Sequence, residues 1–203
     1  MSNLSSELLP FSGALRSRLV FLRNFLRDPR HVGSLVPSQR FLGAVMREMV
    51  EEVAPGPLSV AILGIGTGAV GRAFRGQAIY GFDRSPELLS LAQHALPEAE
   101  LREADVCGPD FSLDALPGDR PIAVVSCIPV VNLSPLERRL FAAQAERLLG
   151  DPRVRCFLQY SYLPRTPLKI GGAEHRVRWV LRNLPPAGVH LWRSPDRPSD
   201  GLT

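Results

Sequence analysis

The stretch from Leu58 to Leu63 is apolar apart from Ser59, and it runs straight into Gly64-Ile65-Gly66-Thr67-Gly68. A short apolar run of this kind reads as a strand buried on both faces. Glycines at alternate positions directly after it let the chain turn tightly. They also present backbone amides with no side chain in the way, so a nucleotide-like ligand can come close. A buried strand ending in such a turn belongs in a parallel sheet covered by helices, and the rest of the chain must supply the other layers.

The downstream pattern does so. Ala69 to Arg75 reads as a short helix, Ala78 to Phe82 as a strand, and Ser85 to Ala95 as a helix with Pro86 in its first turn. Glu98 to Arg102 and Ile122 to Cys127 read as strands, Pro135 to Leu149 as an amphipathic helix, and Val154 to Tyr162 as a fifth strand. Upstream, Ser38 is placed to cap a helix ending near Val53. The rhythm then breaks: Val177 to Leu181 and Val189 to Trp192 are strand candidates joined by Asn183-Leu184-Pro185-Pro186-Ala187, with no helix between them. Two such strands pair antiparallel. A parallel sheet finished by a hairpin separates the class I methyltransferase layout from a nicotinamide-binding Rossmann domain, a step that rests on fold analogy. The expected fold is a Rossmann-like α/β sheet of seven strands, with helices on both faces, an antiparallel terminal hairpin and an N-terminal amphipathic helix.

That first helix is set apart by its charge. Leu8, Leu15, Leu19, Leu22 and Leu26 recur at helical spacing, Phe11, Phe21 and Phe25 widen the apolar side, and Arg16, Arg18, Arg23, Arg27 and Arg30 interleave. Such a basic amphipathic helix either packs on the domain or lies on an anionic membrane surface. The chain divides accordingly into a helix over 1–30, one domain over 31–193 and a polar, disordered tail over 194–203. Its formal charge is +4, and Lys169 is its sole lysine. Arginine keeps its charge when partly desolvated and grips phosphate bidentately, which suits a lipid surface and a nucleic acid equally. Cys107, Cys127 and Cys156 are odd in number and lack C-x-x-C spacing, which argues against disulfides and zinc and fits a reducing cytosol. No apolar run reaches the ~18 residues of a membrane span. No metal is expected, and nothing in the pattern calls for an obligate interface, so a monomer is expected.

Two acids follow the glycine turn. Asp83, at the tip of the second strand, is placed to accept the ribose hydroxyls of an adenosine, and Asp105, just past the third, to accept its adenine amino group. Gly66-Thr67-Gly68-Ala69-Val70-Gly71 also satisfies the dinucleotide fingerprint. The order of the two acids and the closing hairpin favour S-adenosylmethionine, bound by Gly64, Gly66, Thr67, Gly68, Asp83 and Asp105.

Further stretches carry a resemblance over nearly the whole length. Phe25-Leu26-Arg27-Asp28-Pro29, Gly33-Ser34-Leu35-Val36-Pro37-Ser38, Ser126-Cys127-Ile128-Pro129, Gln159-Tyr160-Ser161-Tyr162-Leu163-Pro164-Arg165 and the Asn183 to Ala187 turn are similar to those of the bacterial phospholipid N-methyltransferases. The resemblance implies methyl transfer from S-adenosylmethionine to the headgroup amine of phosphatidylethanolamine and its methylated derivatives, towards phosphatidylcholine. It implies a cytoplasmic protein held peripherally at the inner face of the membrane by its first helix, without a nucleic acid partner. It adds Ser126 to the cofactor contacts, makes Tyr160 and Tyr162 the candidate catalytic residues, and gives Arg165 and Asn183 to the substrate. A tyrosine can offer a ring face to a methylated ammonium, and an arginine a fork to the lipid phosphate. Ile62 departs from the family, which usually has glutamate there, and Cys127 stands where glycine is common. Two alternatives stay open. Ribosomal RNA adenine dimethyltransferases share the glycine turn, but Val130 occupies the place of the aromatic that holds a flipped base. The third reading is an inactive membrane-binding protein.

Overall fold

A computed structural model describes residues 36–162, 168–183 and 186–195. The expected helix over 1–30, the loop before residue 36, Arg165, Leu184 and Pro185 lie outside the described residues, as does the tail from 196 onward.

Seven strands form one sheet: β1 (Ser59–Leu63), β2 (Ala78–Asp83), β3 (Glu100–Glu103), β4 (Ile122–Ser126), β5 (Val154–Ser161), β6 (Glu174–Val180) and β7 (Ala187–Arg193), in the order β3-β2-β1-β4-β5-β7-β6. The first five run parallel, and β7 lies antiparallel between β5 and β6. β1 and β4 are buried at every position, because helices or packed loops cover both faces at the middle of a parallel sheet.

Helix α1 (Val36–Val53) and helix α2 (Pro86–Ala95) cover one face. Leu42, Met46, Met49, Val50 and Val53 recur every three or four residues along α1 and meet Val60, Ile62, Leu158, Val189 and Leu191 of the sheet. Burying one such leucine or isoleucine stabilises the fold by about 2 kcal/mol relative to leaving it in water. Helix α3 (Pro135–Gly150) covers the other face through Phe141, Ala145, Leu148 and Leu149. Two caps fix where helices begin. The Ser85 hydroxyl accepts from the Leu88 amide at the start of α2, and Ser134 and Glu137 form a reciprocal capping box at α3.

The sequence reading is corrected in three places. The expected helix from Ala69 to Arg75 is only a 3-10 turn, Gly71–Phe74. Gly71 packs so closely under Leu96 that a Cβ there would stand 2.6 Å from Leu96 Cδ1, and Gly76, at φ +92°, ends the segment. Ser38 does not cap α1, which begins two residues earlier with Pro37 in its first turn, where a missing N–H leaves no helical bond unmade. The hairpin strands are longer than expected. β6 starts at Glu174 because its polar residues are tolerated at the sheet edge, where only β7 pairs with it.

Between β3 and β4 the chain forms neither an α-helix nor a strand, yet Val106, Phe111, Leu113 and Leu116 are buried there. Side chains from α3 and β5's entry hold this loop. Gln144 Nε2 donates to the Phe111 carbonyl at 3.1 Å, Arg147 donates to the same carbonyl, and Arg153 donates to the carbonyls of Leu113 and Leu116. Among the described residues, no helix is long and apolar enough to cross a membrane.

Candidate active site

At the carboxyl end of β1 the chain leaves the sheet through the glycine turn, with Gly64, Gly66 and Gly68 at φ +66°, +57° and +79°. These left-handed conformations are the reason glycine is needed there. At Gly64 space is also short, since a Cβ would lie 3.0 Å from Ile128 Cγ1 of the loop after β4. Gly66 is different: nothing lies within 4 Å of where its Cβ would be, so the turn is open at its apex. The amides of Gly64 and Ile65 both donate to the Phe82 carbonyl of β2, at 2.8 and 3.0 Å.

Asp83, the last residue of β2, ties the turn down. Its Oδ2 accepts from the Gly66 amide at 2.9 Å and its Oδ1 from the Ser85 amide at 3.1 Å, and the residue is 9% exposed. One carboxylate thus fixes the apex of the turn and the approach to α2 together, and its remaining lone pairs stay available to hydroxyls of a ligand. Asp105 is exposed beyond the end of β3, where its Oδ1 accepts from the Cys107 amide at 3.0 Å. Thr67 is exposed at the turn. Ser126 is wholly buried, and its hydroxyl accepts from the Ile128 amide at 3.3 Å, which shapes the loop leaving β4.

The tyrosines gather on the neighbouring strand. Tyr160 and Tyr162, on and just past the end of β5, pack edge to face with centroids 5.6 Å apart and an interplanar angle of 77°. Both lie half-buried against the α1 side of the core. Burial first, and then Tyr162 and Cys127 as neighbouring acids, push the Tyr160 hydroxyl well above the ordinary phenol range. Burial also raises Tyr162, against a hydrogen bond from the Asn183 side chain that favours its ionised form. Both phenols therefore stay protonated at neutral pH and serve as ring faces and hydroxyls, not as phenolate bases.

Cys127 joins the two halves. Burial, with the Asp83 carboxylate adding to it, pushes its thiol up to about 12, and its own charge would in turn act on both tyrosines. Geometry links the same parts: Gly64 sits under Ile128 of the loop after β4, and the Gln159 side chain of β5 donates to the carbonyls of both Ile128 and Tyr160, so the glycine turn, this loop and the tyrosine strand adjoin at the carboxyl ends of β1, β2, β4 and β5. Ligands bind at this edge in open α/β sheets. Asn183, from the turn between β6 and β7, enters the same cluster and is 2% exposed.

Reading the sequence for site residues overlooked Gln159. This side chain is fully buried in β5, and its Nε2 donates at 2.9 Å to the carbonyls of both Ile128 and Tyr160. It is a positioning residue, fastening the β4 loop to the tyrosine strand. An amide directly after the apolar run Cys156-Phe157-Leu158 was the available signal. Another overlooked group lies on the hairpin. His175 and His190 stack at 5.2 Å with a 3.0 Å bond between His175 Nε2 and His190 Nδ1, and both rings stack on Trp192. Burial, and then the charge of His175, push His190 down to about 4.

No family model matches the sequence, and a search of curated proteins also finds no match. Solved structures do. The chain superposes on magnesium protoporphyrin IX methyltransferase from Synechocystis, solved with SAM bound, with a TM-score of 0.57 at 15% identity over 94% of this chain and 100% of that one. It superposes on a TehB-like SAM-dependent methyltransferase from Corynebacterium glutamicum with a TM-score of 0.52 at 16% identity, covering 86% and 96% of the two chains. For the 23S rRNA methyltransferase ErmE the TM-score is 0.52 at 17% identity, covering 80% and 71%. At such identities the likeness is one of fold, and the fold is that of the class I methyltransferases. Porphyrin and RNA are both named among these neighbours' substrates, so the fold itself selects none.

Proposed function

We propose that this chain binds S-adenosylmethionine and methylates the headgroup amine of phosphatidylethanolamine and its methylated derivatives at a membrane surface. The observation that carries the reading is the adjacency of the parts, from the turn that Asp83 anchors, through Ile128 and Gln159, to the Tyr160–Tyr162 pair. The residues fit the cofactor. Gly66 leaves the apex of the turn open, and in this reading Asp83 takes the ribose hydroxyls and Asp105 the adenine amino group. S-adenosylmethionine held there supplies an electrophilic methyl group on a sulfonium.

The chain's own task is to hold a neutral amine in line with that methyl. An amine beside half-buried tyrosines is partly desolvated, which favours loss of its proton, and fixed alignment supplies much of the remaining rate enhancement. As methyls accumulate the product becomes a soft cation, and the edge-to-face pair offers it a ring face. Asn183 keeps Tyr162 in place. Arg165 is assigned the lipid phosphate on the resemblance of its motif, as residues 1–30 are assigned to an anionic inner-leaflet surface. Val130 supports lipid over RNA: it is 5% exposed and packed in the core, where a base-stacking methyltransferase would present an aromatic.

The test is to incubate the full chain with labelled S-adenosylmethionine and either phosphatidylethanolamine vesicles or structured RNA. Label in the lipid supports the proposal. Label in the RNA, or in neither while vesicles are still bound, overturns it. Residues 1–27 are tested separately, since their deletion should abolish sedimentation with anionic liposomes at low salt.

A further inference from the structure

Three polar side chains lie in one row across the largely apolar α3 face of the sheet. Ser126 of β4 pairs in register with Gln159 of β5, and Gln159 with His190 of β7. All three are buried, at 0%, 0% and 3% exposed. Two of them grip the same residue: Ser126 Oγ accepts from the Ile128 amide, and Gln159 Nε2 donates to the Ile128 carbonyl. Gly64, where the glycine turn begins, sits under Ile128. The row therefore fixes both peptide groups of the residue that caps the turn.

Two atoms of the row are still unmet. Gln159 Oε1 and His190 Nε2 are buried and have no hydrogen-bond partner, in each other or in any other described residue. Directly opposed residues of an antiparallel pair stand about 5 Å apart at Cβ, so one small group can reach both side chains. Gly188, two positions before His190 on the same face of β7, keeps the space beside the ring open, since a Cβ there would stand 3.2 Å from His190 Nε2. Buried polar atoms left unmet are costly, and an internal water with two or more hydrogen bonds is the usual way of meeting them.

The other ring nitrogen decides which end of the bridge donates. His190 Nδ1 is bonded to Nε2 of His175 at 3.0 Å with the rings parallel to within 6°, and His175 is exposed on the edge strand β6. Gln159 Oε1 can only accept. A lone pair on His190 Nε2 would set two acceptors towards one space. With the proton on Nε2, a donor is set towards an acceptor, and Nδ1 is left to accept from His175. We propose that one internal water accepts from His190 Nε2–H and donates to Gln159 Oε1, which makes His190 a positioning residue of the cofactor site. The donors then all point one way, from His175 through His190, the water and Gln159 to the Ile128 carbonyl, and each bond polarises the next. The inference rests on the cofactor part of the proposed function, in which Asp83 and Asp105 take the adenosine half of S-adenosylmethionine and the methionine half is left to the loop after β4.

The bridge is tested on the wild-type full chain, isotopically labelled at its histidine nitrogens, by nuclear magnetic resonance at neutral pH. His190→Gln and His175→Gln assign the signals. The expected result is a proton on His190 Nε2, none on its Nδ1, and cross-relaxation between the Nε2 proton and a long-lived water. A proton on Nδ1 reverses the chain and overturns the bridge, as does an Nε2 proton without water contact.

Two amides at position 190 test the positioning role. His190→Asn keeps a polar atom near the place of Nδ1 and none at Nε2, whereas His190→Gln puts an amide donor near the place of Nε2. In calorimetric titration His190→Asn should weaken S-adenosylmethionine about fivefold, the worth of one net hydrogen bond, and leave adenosine within about twofold. His190→Gln should recover most of that loss. Equal loss of both ligands in His190→Asn, loss of neither, or no recovery with His190→Gln overturns the positioning role. The two readings fail separately. A wild type that binds neither ligand, with its Nε2 proton in contact with water, supports the bridge and overturns the cofactor reading. Tight cofactor binding with the proton on Nδ1 leaves that reading and overturns the bridge.

Discussion

Replacing Asp83 with asparagine separates the anchoring of the glycine turn from the binding of its ligand. The carboxylate accepts from two backbone amides, one oxygen to each, at Gly66 and Ser85. Asparagine has a single acceptor oxygen, and its NH2 group must face the other amide, donor against donor. One nearly buried amide is left without an acceptor, at a cost of about 2 kcal/mol. For a chain of this size that lowers Tm by roughly 4–8 °C.

The effect on the cofactor is larger if Asp83 also receives ribose hydroxyls. A hydrogen bond to a charged acceptor is worth about 2 kcal/mol, so S-adenosylmethionine should bind about 30-fold more weakly for one lost bond and about a thousandfold for two. Calorimetric titration of wild type and Asp83→Asn with S-adenosylmethionine and, in parallel, with adenosine provides the measurement. Both ligands should lose the same factor, because the ribose is common to them. A lower Tm with affinity held within threefold would show Asp83 to be a turn anchor only, and the ligand assignment would fall.

Gly64→Ala places a methyl at φ +66° and 3.0 Å from Ile128 Cγ1, so cofactor binding should be lost in titration and stability should fall by about 1–3 kcal/mol in urea. Unchanged binding would mean that the turn does not hold the ligand. His190 predicts an acid-side loss of stability. Its folded pKa, about 4, lies below the 6.5 of the free side chain, so its contribution is complete above pH 6.5 and is lost as pH falls through about 4. The loss is at most about 3 kcal/mol, and His190→Phe should flatten the urea midpoint between those pH values. Tyr162→Phe removes the hydroxyl that meets Asn183 and keeps the ring. The rate should fall less than tenfold, against a hundredfold or more for Tyr162→Ala in the same vesicle assay. Ile62→Glu restores the family's usual residue, yet Ile62 is wholly buried and would face Gly71. It should therefore cost several kcal/mol without improving cofactor affinity, and tighter binding at unchanged Tm would contradict this.

What was legible in the sequence follows from how local each cause is. The buried strands announce themselves as apolar runs, since both faces of β1 and β4 are covered, and the glycine turn is legible because positive φ is written into single residues. The segment after the turn has a helical pattern, but its fate depends on Leu96, twenty-five positions beyond Gly71, pressing on that glycine. The first residues of β6 look like a loop because an edge strand does not need apolar residues. Gln159 shows the same limit within the site. Its partner Ile128 is 31 residues away, and only the folded sheet brings the two together.

Ile62 changes how the glycine turn must hold a cofactor. A carboxylate at that position would add a polar group near the methionine end, but here the side chain is spent on the core against Gly71. The turn is left with backbone bonds to Phe82 and, among the described residues, one side-chain hydrogen bond, from the Gly66 amide to Asp83. On the proposed reading, in which Asp83 and Asp105 hold the adenosine half of the ligand, grip therefore shifts towards that half. The methionine half is then left to the loop after β4, which Gln159 fastens. Adenosine should consequently retain an unusually large share of the binding free energy of S-adenosylmethionine. Weak adenosine binding beside tight cofactor binding would refute that shift of grip.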